Sequence, residues 1–253
     1  MRVDQAAVVD ALYVARRNSS PPSGLDQVQL GLEEALEMQL GVLGRFEAEG
    51  EKLGGWKVGL TSGKARDRMG KDFRPFGYVL QSRIFRSGAT VPIAKIMNCA
   101  VEPELCLIIG SPLRGDAVDV AEAKAAVRAV APAFELNQRR VGPDGGQALL
   151  LADGLAQWGI VVGPEAPVRD NLVETTVEFY CDEQLVETKT PGATMDDPYL
   201  SLSRLCRLLH KYGFGLEPGQ PVITGAFCHH AVRRPGTYRT VFSGTGEVSV
   251  RFS

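Results

Sequence analysis

The chain is short of the residues that build the commonest metal and redox centres. Only three histidines occur, His210, His229 and His230, which excludes histidine metal sites of the familiar helical spacing. The five cysteines, Cys99, Cys106, Cys181, Cys206 and Cys228, are odd in number and dispersed, and no Cys-x-x-Cys pair exists. Neither a zinc site nor a disulfide framework is therefore indicated, and most of the thiols are expected to be small core residues in a reduced cytoplasm. A net charge of -2 offers no basic field to nucleic acid. No uncharged apolar run reaches the roughly 20 residues that span a bilayer; residues 149–163 come nearest and carry Asp153. The start, Met1-Arg2-Val3-Asp4-Gln5, lacks the apolar stretch of a signal peptide, so the expected location is the cytoplasm. Glycine-rich nucleotide loops are also missing: Gly142-Pro143-Asp144-Gly145-Gly146 has neither their spacing nor their strand-turn-helix setting.

What is present suits a globular protein. With 44% hydrophobic and 23% charged residues over 253 positions, a sizeable core needs no covalent staple. Two helices are predicted first. Residues 4–18 place Val8, Ala11, Leu12 and Ala15 on one face behind an Asp4 cap, and residues 26–49 carry a stripe of Val28, Leu32, Leu36, Leu40 and Leu43. After Gly54-Gly55 short strands dominate, predicted at 56–61, 100–109, 131–137, 157–163, 172–181, 184–190, 221–227, 237–242 and 246–252. Residues 182–183 read as a hairpin turn. Helices interrupt at 119–130, with Val120, Ala123, Val127 and Val130 inward, and after Asp196-Asp197-Pro198, ending at Gly213. Strands without regularly alternating helices indicate an α+β fold. The division expected is a helical arm, 1–54, on a β-rich catalytic body, 55–253.

The chemistry concentrates in acids set among apolar residues. Glu102 and Glu104 sit in Ala100-Val-Glu-Pro-Glu-Leu-Cys-Leu-Ile-Ile109, where strand residues two apart share a face. They read either as the wet face of a half-exposed strand or as paired carboxylates needing a cation between them. Glu135, in Ala131-Pro-Ala-Phe-Glu-Leu136, is a third such acid. Three oxygen donors without histidine suit a hard ion, Mg2+ or Mn2+. Lys57, flanked by Trp56 and Val58, is either a snorkelling surface lysine or a partly buried group suited to proton transfer. Asp153 before Gly154 is either a buried acid or a turn former. His229 and His230 are either an acid–base pair or plain loop residues.

Together these segments resemble the 2-oxopent-4-enoate hydratase family, part of the fumarylacetoacetate hydrolase superfamily, which also contains 2-oxo-3-hexenedioate decarboxylases. The resemblance runs from Trp56 to the C-terminus and rests on four pieces in order: Lys57-Val-Gly-Leu-Thr-Ser62, Val101-Glu-Pro-Glu-Leu105, Pro132-Ala-Phe-Glu-Leu136 and Ile223-Thr-Gly225. It implies a mixed β-sandwich roll with N-terminal helices, assembled as a homo-oligomer. It matches Glu102, Glu104 and Glu135 to the metal ligands, Lys57 and Asp153 to catalytic positions, and Leu60, Thr61, Arg140 and Thr224 to the substrate-binding shell.

The sequence departs from the family where substrate is held. Arg74-Pro75-Phe76-Gly77 lacks an acid, Gln138-Arg139-Arg140 keeps only the last residue of Asp-Ser-Arg, and Ala152-Asp153-Gly154-Leu155-Ala156 loses an amide and a hydroxyl. Cys228-His229-His230 replaces small or hydroxyl residues. The activity implied is that of a divalent-metal lyase acting on a small 2-oxo acid in aromatic-compound catabolism, foremost a hydratase of a 2-hydroxypenta-2,4-dienoate. A 2-oxo-3-hexenedioate-type decarboxylase, an acylpyruvate-type C–C hydrolase and a non-catalytic partner of a related pathway enzyme are the alternatives. A remote substrate carboxylate would call for a cation, with Arg74 and Arg140 as candidates.

Overall fold

The structure, a computed structural model, describes residues 4–25, 28–142 and 145–253. Helix α1 (Gln5–Asn18) begins where the Asp4 side chain accepts the backbone N–H groups of Ala6 and Ala7. Helix α2 spans Leu32–Ala48; the expected start at Asp26 lies outside the described residues. Both helices bury their apolar faces in the main core, Val8 and Leu12 from α1 and Leu36 and Leu43 from α2. Among the described residues no helix is long and apolar enough to cross a membrane.

Among the described residues thirteen strands follow: β1 (Leu53–Val58), β2 (Phe76–Leu80), β3 (Ile84–Arg86), β4 (Ala89–Val91), β5 (Cys99–Ile109), β6 (Val127–Gln138), β7 (Gln157–Val162), β8 (Val177–Cys181), β9 (Gln184–Lys189), β10 (Pro221–Ala226), β11 (His230–Ala231), β12 (Gly236–Phe242) and β13 (Gly246–Phe252). They form two mixed sheets. The larger runs β2-β1-β10-β5-β6-β7-β3, with β11 added to the end of β5; the smaller runs β4-β13-β12-β8-β9. Sheet pairing is parallel between β1 and β10, β3 and β7, and β4 and β13, and antiparallel elsewhere. The large sheet curls until β2 meets β7. This is the α+β roll of the fumarylacetoacetate hydrolase type.

Strands β5 and β6 are buried on both faces. Leu105, Leu107, Ile109 and Phe134 point into the main core, toward α5 (Pro198–His210) and the small sheet. Cys106, Ile108, Ala129, Ala131 and Ala133 point into the roll, where Val79, Ile160 and Ile223 meet them. Alternation then carries Glu102, Glu104 and Glu135 onto that same inner face. The apolar flanks that made these acids conspicuous are thus the two-sided burial of a central hairpin.

Several boundaries differ from expectation. Helix α3 (Val120–Ala125) is shorter than expected, and residues 127–130 open β6 instead. Val127 and Val130 fit either period, and pairing with β5 decides for the strand. The 172–181 segment is a strand only from Val177, after a short 3-10 turn at Leu172–Glu174. Strands β2, β3 and β4 and helix α4 (Gly146–Ala152) went unpredicted; the strands are short, and α4 lacks a polar face to mark its period. Residues Asp182 and Glu183 do form a tight hairpin turn, both at positive φ.

The Asp196-Asp197-Pro198 signal splits into two jobs. Asp197 caps α5, accepting from the N–H groups of Tyr199 and Leu200. Asp196 is buried instead, and its carboxylate meets Arg74 at 2.5 Å, Arg66 at 2.7 Å and Arg204 at 2.9 Å. Its backbone N–H also holds the Thr61 carbonyl at 2.8 Å, so this cluster anchors the loop after β1. Asp196→Asn should lower stability by about 3–5 kcal/mol in urea unfolding, because Arg74 would remain buried against too little negative charge. An unchanged midpoint would show that the cluster carries no such weight.

Candidate metal centre

Register decides how the acids meet. Glu135 of β6 lies directly across from Glu102 of β5, and Glu104 follows two residues along on the same face. The three present carboxylate oxygens within 4.8 Å of one another. Glu135 is fully buried, Glu104 is 2% exposed, and the Glu102 side chain is 20% exposed, opening toward a cavity of about 480 Å³. Neighbouring strands complete the arrangement. A bulge in β10 turns the Gly225 N–H onto Glu104 Oε2 at 2.7 Å. Gly225 sits at φ +143°, and a Cβ there would come within 2.1 Å of Thr61 Oγ1, so Ile223-Thr-Gly225 needs its glycine. Lys57 of β1 enters from the other side, its Nζ donating to both Glu135 oxygens at 2.5 and 2.8 Å. Opposite it in β2, a Cβ on Gly77 would meet the Lys57 stem at 2.8 Å.

The electrostatics follow from crowding. Burial and the charges of Glu135 and Glu102 push Glu104 well above the usual carboxylate range. Burial likewise raises Glu135 to about 7, against the pull of Lys57. Burial opposes charge on Glu102 as well, but the His229 hydrogen bond and Lys57 hold it at about 2. Burial works against the Lys57 ammonium too, and the three carboxylates outweigh it, raising its pKa. Three ionised carboxylates would carry more negative charge than one ammonium balances, which is why Glu104 and Glu135 resist ionisation without a further cation. Oxygen-only donors around such a field are able to hold a hard dication, with positions left open toward the cavity.

The structure separates the other expected site residues. Leu60 and Thr61 line the cavity with Lys57. Leu60 adopts φ +59°, a strained value for a branched side chain at a candidate site. Thr224 does not line the cavity; its Oγ1 donates to the Leu105 carbonyl, and its own carbonyl accepts from Thr61. Asp153 and Arg140 stand behind the wall, paired at 3.0 Å. Arg140 also binds the Gln138 side chain, and Arg16 of α1 binds the Asp153 carbonyl, leaving neither guanidinium facing substrate space. Together they brace a turn in which Gly154, Leu155 and Ala156 all have positive φ. That turn brings Leu155 into the cavity and its carbonyl within 3.4 Å of Lys57 Nζ.

Three cavity residues escaped sequence reasoning. Asn137, two residues beyond Glu135 on the same face, is buried with its amide Nδ2 unpartnered. The Glu-x-Asn spacing held that signal. Lys64, in a 3-10 turn after β1, and Lys189, at the end of β9, are both exposed and line the cavity, and no local pattern announces them. Of the histidines, His229 lines the cavity, with Nδ1 2.8 Å from Glu102 Oε1, whereas His230 turns away.

No protein-family model matches the chain. Among curated proteins, a 4-oxalocrotonate decarboxylase of a Pseudomonas species is 29% identical over 241 residues, covering 93% of this chain and 89% of that one. A 2-oxo-hept-4-ene-1,7-dioate hydratase of Escherichia coli is 27% identical over 239 residues, covering 90% and 89%. Both align along nearly the whole length. The chain is thus similar, along nearly its whole length, to hydratases and decarboxylases of 2-oxo acids. The likeness extends to solved structures. A 4-oxalocrotonate decarboxylase from Pseudomonas putida G7, complexed with magnesium and adipate, superposes with a TM-score of 0.90 at 21% identity, covering 100% of this chain and 99% of that one.

If Glu104 is a ligand, its removal has a signature. In chelator-treated protein, magnesium or manganese at a hundredfold excess over the dissociation constant should raise the melting temperature by roughly 5–10 °C. Glu104→Gln should abolish that shift while leaving the metal-free protein at least as stable as the parent, since burial and the neighbouring carboxylates already disfavour a charge at this position. A shift of undiminished size in the variant would count against the trio.

Proposed function

We propose that the protein is a divalent-metal-dependent lyase that adds water to a 2-hydroxypenta-2,4-dienoate-like acid. The observation that carries this reading is the trio of buried glutamates beside Lys57, at the base of a cavity sized for a small acid. Solved and curated relatives whose names are those of hydratases and decarboxylases support it. Glu102, Glu104 and Glu135 would hold a dication, which would supply the charge that stabilises a developing enolate oxygen.

The chain's own residues do the remainder. The Lys57 ammonium gives a proton to the terminal carbon and takes back the one released from the enol oxygen, giving a conjugated enone. Water then adds at the fourth carbon and a proton at the third, yielding a 4-hydroxy-2-oxo acid. The free Asn137 amide donates to the substrate head, and Leu60, Thr61 and Leu155 shape the cavity around it. Asp153, Arg140 and Thr224 act indirectly, by holding the wall and the Thr61 loop in position. The helical arm of residues 1–54 serves the same end through Arg16. The reading includes a homo-oligomer in the cytoplasm, to which five unpaired cysteines are suited.

One observation favours a second reading. Lys64 and Lys189 supply at the cavity the cations that neither Arg74 nor Arg140 provides. They suit a substrate with a second carboxylate, and a 2-oxo-enedioate can lose carbon dioxide as a vinylogous β-keto acid. Incubation with the monoacid dienol and with 2-oxo-3-hexenedioate separates the two. Loss of dienol absorbance without carbon dioxide supports hydration, stoichiometric carbon dioxide supports decarboxylation, and turnover of neither sinks both. Lys57→Met should lower kcat by roughly 10²–10⁴-fold. Replacing Lys64 and Lys189 together by Met should raise KM for the diacid by roughly tenfold, about 1.4 kcal/mol, and leave the monoacid unaffected. Equal effects on both acids would remove the diacid reading.

A further inference from the structure

A second cluster of ligand-type side chains lies beside the glutamate trio and takes no part in the chemistry above. Cys228, His230 and Glu187 bring one thiol sulfur, one imidazole nitrogen and one carboxylate oxygen within 4.8 Å of one another. Sequence spacing gave no hint of it. The cysteine and histidine are two residues apart, with His229 between them turned toward Glu102, and the glutamate comes from β9 of the other sheet.

Three features make this more than a chance gathering. The His230 ring is held in place, stacked on buried Phe179 with centroids 4.0 Å apart and planes 4° apart. Its Nε2 lies 3.0 Å from Glu187 Oε2, yet out of line for a hydrogen bond, so this enclosed nitrogen has no satisfactory partner. A centre shared by both atoms would satisfy it. The local field also favours a cation: burial and the carboxylates of Glu187 and Glu102 push the Cys228 thiol up to about 12, with Lys189 opposing.

We propose that Cys228, His230 and Glu187 form a binding site for a thiophilic dication, zinc by preference, distinct from the hard-ion site of the three glutamates. Sulfur, nitrogen and one carboxylate oxygen match the donor set of a three-ligand zinc site, with a fourth position for water. Metal–ligand lengths of about 2.0–2.3 Å require the three ligand atoms, which lie within 4.8 Å of one another, to adjust their spacing on binding. Binding displaces the thiol proton to solvent. The ion would tie β9 of the small sheet to the Cys228–His230 segment of the large one, along the wall that carries Lys189 and His229.

Cobalt(II) is the probe, because only a cysteine ligand gives a thiolate-to-cobalt absorption in the near ultraviolet; a carboxylate site gives none. Full-length, reduced protein titrated with cobalt should develop this band at one equivalent. The band should vanish in Cys228→Ser, weaken by roughly tenfold or more in affinity in Glu187→Gln, and persist in Glu104→Gln. Glu187 sits on a half-exposed edge strand, so its variant tests the site even if Cys228→Ser folds poorly. No band in the parent, a band that survives Cys228→Ser, or unaltered affinity in Glu187→Gln overturns the site. Failure of the glutamate trio would leave these results standing, since the two readouts are independent.

Discussion

Crowded negative charge on the inside of a rolled sheet governs the molecule. Glu102, Glu104 and Glu135 project from the two central strands into the same small space, and the Lys57 ammonium is in direct contact with Glu135. Carboxylates so placed lose their water and repel one another, which costs several kcal/mol per uncompensated charge. The fold bears that cost because the hairpin that carries them is buried on both faces and paired along its length. The backbone around the trio answers the same constraint. Gly225 supplies an N–H to Glu104 from a conformation closed to other residues, and Gly77 clears the path of the Lys57 stem.

Other charges of the interior hold the walls in place. Asp196 collects three arginines and fixes the loop bearing Leu60 and Thr61. Arg16 and Arg140 converge on Asp153 and its carbonyl, stabilising a turn of three positive-φ residues. These groups explain the departures from the family pattern at Arg74 and Gly154. Arg74 is committed to Asp196 and Asp67, so it is a scaffold cation, and Gly154 takes the left-handed position that an asparagine also tolerates. Of the departures, Cys228 and His229 reach the cavity, where Lys64 and Lys189 also stand.

Much of this was legible in the residues. Glu-x-Glu in an apolar run states by alternation alone that two acids share a face, and a third acid in a similar run names its partner strand's candidate. Helix caps at Asp4 and Asp197 and the hairpin at 182–183 are local devices, set by a few neighbouring dihedrals and hydrogen bonds. The 119–130 segment shows the limit of such reasoning. Valines and alanines there satisfy both periods, and only pairing with β5 turns residues 127–130 into strand.

The sequence by itself determined the donor chemistry, oxygen acids on strand faces with a lysine in a fourth segment, because residue type and alternation are properties of the local chain. Tertiary structure alone decided which charges reach the cavity. Asp153 and Arg140 neutralise each other behind its wall, Lys64 and Lys189 enter from segments far apart in the chain, and Cys228 and His230 find Glu187 on another sheet. Those meetings depend on strand register and on how far the sheet curls. Both are set by contacts distant in sequence, so no short stretch of residues can encode them.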